Sequence, residues 1–268
     1  MQVRALHAHR ELTEARAIWD AVWPTVPGAT EITGNLLRAM EHAGGYVGGA
    51  YAGGTMVGAC LAFVGRARGE HGWHTHLHSH VAAALPGRAD RGIGTALKLH
   101  QRAWALGQDI DRIVWTFDPL VRRNARLNLV KLGGVGVEYL VNFYGQMDDA
   151  LNAGEESDRL LLRWDLASDR VVDALAGAAA PMSRDAWRAL GATDRLLAGE
   201  DGPELVETSS PLVLVAVPDD IVDVRRFDLP LARAWRHQVR AALEPLVREG
   251  GRVVGLTTDG CYVVEVAS

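Results

Sequence analysis

A glycine-containing loop carries the residue spacing in this chain that is best suited to ligand chemistry. The apolar run Val81–Leu85 ends at Pro86, and Gly92-Ile93-Gly94 precedes an amphipathic pattern that predicts a helix. The first N–H groups of a helix lack helical partners, and the helix dipole adds positive charge there. Because the two glycines permit a close approach, the stretch from Arg91 to Ala96 is predicted to bind an anion, most simply a pyrophosphate.

This spacing differs from two familiar phosphate-binding motifs. No Gly-Lys-Ser/Thr follows the loop, as it would in a Walker loop, and Leu97 stands where a dinucleotide fingerprint has a third glycine or an alanine. Residues 88–131 contain nine Lys or Arg against four Asp, although the whole chain has a formal net charge of −5. A local basic region in an acidic protein favours a compact polyanionic ligand and argues against general nucleic-acid binding.

Histidines form a second stretch with chemical potential, in residues 71–80. His74, His76, His78 and His80 alternate, so within one strand they would share a face. Neutral imidazole is suited to proton transfer near pH 7, and the alternation also permits metal binding. Since no cysteine lies nearby in sequence, we expect no metal.

Composition limits the class of protein. A chain of 268 residues with 48% hydrophobic and 23% charged residues can form one large domain or two small ones with a sizeable core. The two cysteines, Cys60 and Cys261, cannot make a disulfide framework and fit a reducing compartment. The chain starts without an apolar signal core and contains no run long enough to span a membrane, so a cytoplasmic location is predicted.

Periodicity and chain breakers predict the elements that must position these residues. The predicted strands are Val3–Leu6, Tyr46–Tyr51, Met56–Val64, Val81–Leu85, Ile110–Phe117, Val137–Tyr144 and Leu160–Leu166; the predicted helices cover residues 10–23, 30–42 and 122–132 and the stretch after Gly94. Beyond residue 168, a strand over Pro211–Val217, a helix over 229–249 and a hairpin around Asp259-Gly260 are predicted. Residues 198–211 are predicted to be irregular.

Over residues 1–166, this order of elements resembles the GNAT superfamily of acyl-CoA-dependent N-acyltransferases. Pro86–Leu97 is similar to the family's pyrophosphate loop, Arg/Gln-x-x-Gly-x-Gly/Ala, with Ala89 where Arg or Gln is usual. Ala125–Gly133 is similar to the family helix Ala-x-x-x-Tyr-x-Lys-Leu-Gly, with Leu129 in the Tyr position. The run Trp115–Leu120 also looks like a subgroup of predicted acetyltransferases with a C-terminal extension.

The resemblance implies an α/β (α+β) fold in which a mixed, splayed central sheet is flanked by helices. The acyltransferase domain would cover residues 1–167. A smaller C-terminal α/β segment, residues 168–268, would cap the acceptor site, form a homodimer face or complete a partial second GNAT-like unit.

The implied function is acyl-CoA-dependent N-acylation, with acetyl-CoA or another acyl-CoA as cosubstrate. A small-molecule amine would attack the thioester directly. The alternative is a GNAT-like sensor or scaffold that binds acyl-CoA without turnover, which Leu129 and Ala89 favour.

The same resemblance assigns site residues. The base would be His78 or His80, and because Leu129 cannot donate a proton, Tyr144 or Tyr139 would be the acid. The residues assigned to the cofactor are Ala82, Ala84, Leu85, Arg91, Gly92, Ile93, Gly94, Thr95, Ala96, Asn124 and Arg126. Those assigned to the substrate are Asp118, Trp115 and Trp23. Simpler interpretations remain open: a helix N-cap for Asn124, a turn residue for Asp118, and packing for the aromatic side chains and histidines.

Overall fold

The computed structural model describes residues 1–24, 32–69, 72–88, 92–145, 156–178 and 180–267. Arg91, which is assigned to the pyrophosphate loop, lies outside these ranges. The chain forms two compact units, residues 1–115 and, in the second, the described residues from Thr116 onward. The two compact units meet in the chain after Trp115, inside a strand. The domain boundary after residue 167 was placed by the family resemblance, and it stays a prediction.

The first unit is a five-stranded mixed sheet with helices. Its elements are β1 (Gln2–Ala5), α1 (His9–Val22), α2 (Gly34–His42), β2 (Tyr46–Ala52), β3 (Thr55–Gly69), β4 (Gly72–Ala84), α3 (Ile93–Leu106) and β5 (Arg112–Phe117), whose last two residues belong to the second unit. The strand order follows the chain, and β4 with β5 is the parallel pair among antiparallel ones. The predicted hairpin between β2 and β3 is confirmed, with Gly53 and Gly54 both at positive φ, as a type I′ turn requires.

Helices α1 and α3 cover opposite faces of this sheet. The apolar stripe of α1, including Leu12 and Ile18, packs on Ala59, Leu61 and Ala83. Successive strand residues point to opposite faces, so the residues that alternate with these face α3. The apolar face that the sequence predicts for this helix is therefore the face that is buried in the core.

The second unit continues the chain. Its elements are α4 (Arg122–Ala125), a π-helical turn (Arg126–Lys131), β6 (Val135–Leu140), β7 (Arg159–Asp165), α5 (Asp169–Ala176), α6 (Arg184–Ala189), β8 (Thr193–Gly199), β9 (Gly202–Leu205), β10 (Leu212–Ala216), α7 (Ile221–Phe227), α8 (Leu229–Arg248), β11 (Arg252–Leu256) and β12 (Cys261–Glu265). Its sheet has the order β7-β6-β11-β12-β10-β8-β9, with β8 parallel to β10. No helix in the described ranges is both long enough and apolar enough to cross a membrane.

Three sequence predictions are corrected here. Residues 198–211 are not wholly irregular, because β8 and β9 form an antiparallel pair there, closing at Gly199↔Gly202. Tyr144 does not lie on a strand, because β6 ends at Leu140. Asn124 is not a helix N-cap, because Val121 takes that position and Asn124 is the third residue of α4. In each case the local composition was ambiguous and tertiary contacts decided.

Candidate active site

An open strand edge is the main feature of the first unit. Strand β4 pairs with β5 at Leu77↔Ile113 and His78↔Val114. Beyond His78 it continues for six residues to Ala84, and no further pair with β5 is present in the described chain. On its other side β4 stays paired with β3 as far as Ala84↔Gly58. The splay that the family resemblance implied is therefore present.

The backbone of β4 alternates between these two edges. The Leu85 N–H donates to the Val57 carbonyl of β3 at 2.9 Å, and the Leu85 carbonyl accepts from the Arg88 N–H at 3.0 Å. Leu85 therefore has no backbone N–H left for a ligand. In an antiparallel pair, neighbouring residues direct their N–H and C=O groups to opposite sides, so those of Ala84 and Ala82 point to the open edge.

A β-bulge marks the start of the open edge. Leu61 pairs with Val81, whereas the next residue of β3, Ala62, pairs with Ser79, so His80 is the extra residue of β4. A bulge bends a strand and redirects side chains, and such irregularities are frequent beside active sites. Here it coincides with the place where β4 leaves β5.

The helix that follows begins with backbone N–H groups that lack helical partners. Gly92 is the N-cap of α3, with φ of 74°, and no side chain in the described part of the chain caps the helix. The first helical bond runs from the Ala96 N–H to the Gly92 carbonyl at 3.0 Å, so the N–H groups of Ile93, Gly94 and Thr95 have no helical partner. A Cβ built on Gly92 would meet no heavy atom within 4 Å, which leaves room for a ligand. These features fit a diphosphate.

Gly92→Ala tests the left-handed cap. We expect a loss of about 1–2 kcal/mol in the free energy of unfolding, because the φ of Gly92 is one that side-chain-bearing residues avoid. Urea unfolding measures it. Gly107→Ala, at the other end of α3 and at a φ of −71°, is the matched control and should be neutral. Equal losses for the two variants would contradict the strain argument.

A glycine that the sequence analysis overlooked fixes the position of this helix. A Cβ on Gly58 of β3 would lie 2.5 Å from Ile93 Cγ2 and 2.9 Å from the Ala83 carbonyl oxygen. The start of α3 therefore rests directly on the backbone of β3. An isolated strand glycine often marks a close approach of this kind, which was the available signal.

His78 is half-buried on the face of β4 opposite α3. Its ring stacks on Phe63, with centroids 4.9 Å apart, and the ring of His80 lies 6.3 Å away. Burial, with a smaller effect from His80, lowers the pKa of His78 to about 4. The imidazole is thus neutral at pH 7 and can accept a proton. His80 is exposed.

The four alternating histidines do share a face, as predicted, but they do not gather around one point. Neighbouring rings follow one another along the strand, for example with centroids 6.0 Å apart for His74 and His76. Within the described residues, no group of three His, Cys, Asp or Glu side chains is arranged to hold a metal ion.

Solved structures of N-acetyltransferases are similar to this chain. Chaetomium thermophilum Naa20 in complex with a bisubstrate analogue is 16% identical, over 65% of this chain and 90% of its own, with a TM-score of 0.48. A ribosomal-protein-alanine N-acetyltransferase from Brucella melitensis is 19% identical over 61% and 98%, with a TM-score of 0.47. An N-acetyltransferase from Staphylococcus aureus Mu50 is 16% identical over 62% and 98%, with a TM-score of 0.48.

No protein-family model matches the chain, and neither does any curated protein. What decides the fold is the order of its own elements from β1 to β7, with the bulged β4 that separates from its parallel neighbour. These residues have the GNAT fold. The fold prediction made from the two motifs is therefore confirmed.

Trp115 and Trp23, assigned to the acceptor pocket of the GNAT fold, are packed side chains in the first unit. Trp115 is 6% exposed and lies under the ammonium of Lys98, 3.5 Å from the ring centroid. Trp23 follows α1 and packs, partly buried, against the core cluster under that helix. Their contact with a substrate stays a prediction.

Asp118, in the second unit, is held by an ion pair. Its two carboxylate oxygens accept hydrogen bonds from the two terminal nitrogens of Arg236, both at 2.7 Å, and Oδ1 also accepts from the Leu120 N–H at 2.9 Å. Although burial opposes it, the hydrogen bonds from Arg236 hold the pKa of Asp118 below its ordinary value. Asp118 thus already has a cationic partner, and binding of a substrate ammonium stays a prediction.

The two tyrosines assigned as acids have different surroundings. The Tyr139 hydroxyl is buried and donates to Asp158 Oδ2 at 2.8 Å, and burial together with that carboxylate raises its pKa well above the ordinary value. Tyr144 is 42% exposed, and its hydroxyl lies 3.2 Å from the Thr116 hydroxyl. Tyr144 is therefore the more accessible of the two.

The residues of the second motif face the C-terminal segment within the second unit. Arg126 donates to the Thr258 carbonyl at 3.0 Å, and Arg122 pairs with Asp219. Asn124 is exposed. Arg126 thus has a structural partner, and the contacts of Asn124 and Arg126 with a cofactor stay predictions.

The second unit also contains a cavity that the sequence did not indicate. Its volume is about 300 Å³, and Ala198, Val217, Trp235, Arg184 and Cys261 are among its lining residues. None of the described residues assigned to the acyl-CoA site lines it. The chemistry assigned from the motifs does not use this cavity.

Proposed function

We propose that the chain is a GNAT-superfamily N-acyltransferase that uses acyl-CoA, most simply acetyl-CoA, and acts on a small-molecule amine. The observation that carries this proposal is the open edge of β4 beside the uncapped start of α3. The two features belong to consecutive elements, β4 and α3, and we infer that an extended ligand with a diphosphate engages both. An acyl thioester supplies the group to be transferred.

The protein would bind such a ligand through backbone groups. The N–H groups of Ile93, Gly94 and Thr95 face the diphosphate at the positive end of the α3 dipole. The backbone groups of Ala82 and Ala84 bond the amides of the linear arm, as an added strand would. With Ala89 in place of Arg or Gln, one side-chain contact of the family loop is missing. The backbone N–H contacts do not depend on the identity of that side chain.

His78 is the proposed base for the incoming amine. Its imidazole is neutral at pH 7, it projects from β4 one residue before the open edge begins, and Phe63 fixes its ring plane. A neutral, orientated imidazole can accept the proton that the ammonium loses as the amine attacks.

Two measurements test the proposed function. Isothermal titration with acetyl-CoA at low salt should show binding, and release of free thiol should appear with at least one member of an amine panel. Mass spectrometry of the purified protein identifies any acyl-CoA that is retained. Absence of binding at millimolar acetyl-CoA would overturn the proposal.

Leu129 favours one alternative, a sensor or scaffold that binds acyl-CoA without turnover. Its side chain is 2% exposed and has no proton to donate at the position where the family motif has Tyr. A sensor would bind acetyl-CoA and release no thiol with any amine.

His78→Ala is expected to lower the rate roughly 100-fold or more and to leave acetyl-CoA affinity unchanged, because a general base contributes to the transition state alone. In the wild type, the His78 pKa of about 4 means that the base is lost only as the pH falls toward 4. The rate should therefore not fall as the pH is lowered through 6.5, the ordinary pKa of histidine. His42→Ala, an exposed histidine on α2, is the control. An unchanged rate in His78→Ala would remove His78 from this role.

A further inference from the structure

A buried lysine lies at the point where β4 separates from β5, at the start of the open edge. Lys98 of α3 is 6% exposed, and its Nζ donates to Ser79 Oγ at 2.8 Å and lies 3.5 Å from the centroid of the Trp115 ring. Because the last parallel pair is His78↔Val114, Ser79 and Trp115 are the next residues on the two separating strands. The ammonium therefore contacts both strands where they part.

This lysine has no carboxylate partner in the described chain. Apart from Ser79 and Trp115, its Nζ has Gln101 Oε1 at 3.5 Å. Burying a charge with neutral partners alone costs free energy, and an apolar side chain of similar length would stabilise the fold as well or better. The amine is thus hard to explain as a packing residue.

Among the described titratable groups around Lys98, only Lys98 itself has a pKa near neutral pH. Burial lowers the pKa of Lys98 to about 7, with Cys60 of β3 opposing. Burial raises the pKa of Cys60 to about 12 and also raises that of Tyr46 on β2, which contacts Cys60. His78 of β4, with a pKa of about 4, stays neutral. A single proton can therefore be gained or lost here at pH 7.

We propose that Lys98 is the proton donor to the sulfur that leaves when the acyl group is transferred, an inference that rests on the proposed acyltransferase function. A linear thioester anchored by its diphosphate at the start of α3 and extended along Ala84 and Ala82 has its reactive end toward Ser79. As the bond from amine nitrogen to acyl carbon forms, the carbon–sulfur bond breaks and its electron pair stays on sulfur. Lys98 Nζ gives that sulfur a proton and regains one from solvent.

Lys98 would supply the proton donor that is missing from the helix motif of this chain. Leu129 has no proton to give, and the Tyr139 hydroxyl is engaged by Asp158. A thiol has an ordinary pKa of about 8.5, so proton transfer from an amine with a pKa of about 7 to a thiolate is favourable. The geometry places such an amine where the sulfur would leave.

The first test is direct titration of the amine in the full chain. Lys98 and Lys131 are the only lysines in the sequence, so isotope-labelled lysine gives two NMR signals, and Lys131→Met assigns them. We expect the Lys98 signal to titrate near pH 7. A Lys98 signal that titrates near pH 10 would overturn the proposal.

The second test uses Lys98→Met and Lys98→Arg with CoA bound. Thiolate absorbance against pH should show a lowered thiol pKa in Lys98→Arg, because its charge persists, and an ordinary or raised one in Lys98→Met and in the wild type, whose amine is already neutral where a thiol titrates. Turnover should fall roughly 100-fold or more in both variants, because arginine keeps the charge but releases no proton near neutral pH. Acetyl-CoA affinity should change less than threefold, and Lys131→Met should match the wild type in each measurement.

The outcomes separate the two proposals. If the wild type binds neither acetyl-CoA nor CoA, the proposed function fails. If it binds them, but Lys98→Arg leaves the thiol pKa ordinary and Lys98→Met leaves turnover unchanged, the role of Lys98 alone fails. If no amine supports turnover, the thiolate titration of Lys98→Arg still decides whether the side chain at position 98 faces the sulfur. Lys98→Met should remain folded, because it replaces a buried charge by an apolar chain of similar length.

Discussion

Asp118→Asn is expected to lower the free energy of unfolding by about 3–5 kcal/mol, the largest effect predicted for this chain. The carboxylate and Arg236 form a two-pronged pair in which the side chains are 10% and 4% exposed. The substitution takes the carboxylate away from Arg236 and from the buried Arg225, whose Nη2 lies 3.8 Å from it, so less of the desolvation cost of these cations is offset. Urea unfolding followed by tryptophan fluorescence and circular dichroism measures the loss.

Two further variants make this prediction specific. Asp219→Asn removes a carboxylate that also pairs with an arginine but is 94% exposed, and it should change stability by less than about 1 kcal/mol. The double variant Asp118→Asn, Arg236→Gln should be less destabilised than the sum of its single variants, because the Arg236 charge is removed together with its carboxylate partner. A loss below about 1 kcal/mol in Asp118→Asn would show that the pair does not stabilise the fold.

The same pair predicts a pH dependence. The pKa of Asp118 is lowered in the folded chain by its hydrogen bonds to Arg236, so its contribution to stability is fully present above the unfolded pKa of about 3.9. It is lost as the pH falls through the lower, folded value. Wild-type stability should therefore fall more steeply than that of Asp118→Asn in acid.

The N-terminal fold could be predicted because its signals are local. The period of α1, the Gly53-Gly54 turn and the glycine pair at the start of α3 each depend on residues close in sequence. The mixed, splayed arrangement of the sheet was implied by the family resemblance and not by these local signals.

The missed features depend on distant partners. Asp118 followed by Pro119 is typical of a turn, and nothing nearby indicates that Arg236, 118 residues later, binds it. Lys98 stands in a stretch with His100 and Arg102 that is typical of a solvated helix face, yet its side chain is buried against Ser79 and Trp115 of the sheet. Tyr144 continues an alternating pattern beyond the point at which β6 ends. Periodicity cannot report such choices, because tertiary packing makes them.

Gly58→Ala is expected to destabilise the first unit by about 2–3 kcal/mol and to weaken acetyl-CoA binding roughly tenfold. The new Cβ would lie 2.5 Å from Ile93 Cγ2 and 2.9 Å from the Ala83 carbonyl oxygen, so the start of α3 or the edge of β4 must move. The start of α3 and the edge of β4 both belong to the proposed binding site. If the helix start moves, its N–H groups no longer point at the diphosphate. Thermal unfolding and isothermal titration measure the two effects.

Gly255→Ala is the matched control for this substitution, because it adds the same methyl group to another strand glycine. Its Cβ would lie 3.5 Å from Val263, an ordinary contact distance. We expect this variant to keep its stability within about 1 kcal/mol and its acetyl-CoA affinity unchanged. If the two alanine variants behaved alike, close packing of α3 on β3 would not be what holds the binding edge in place.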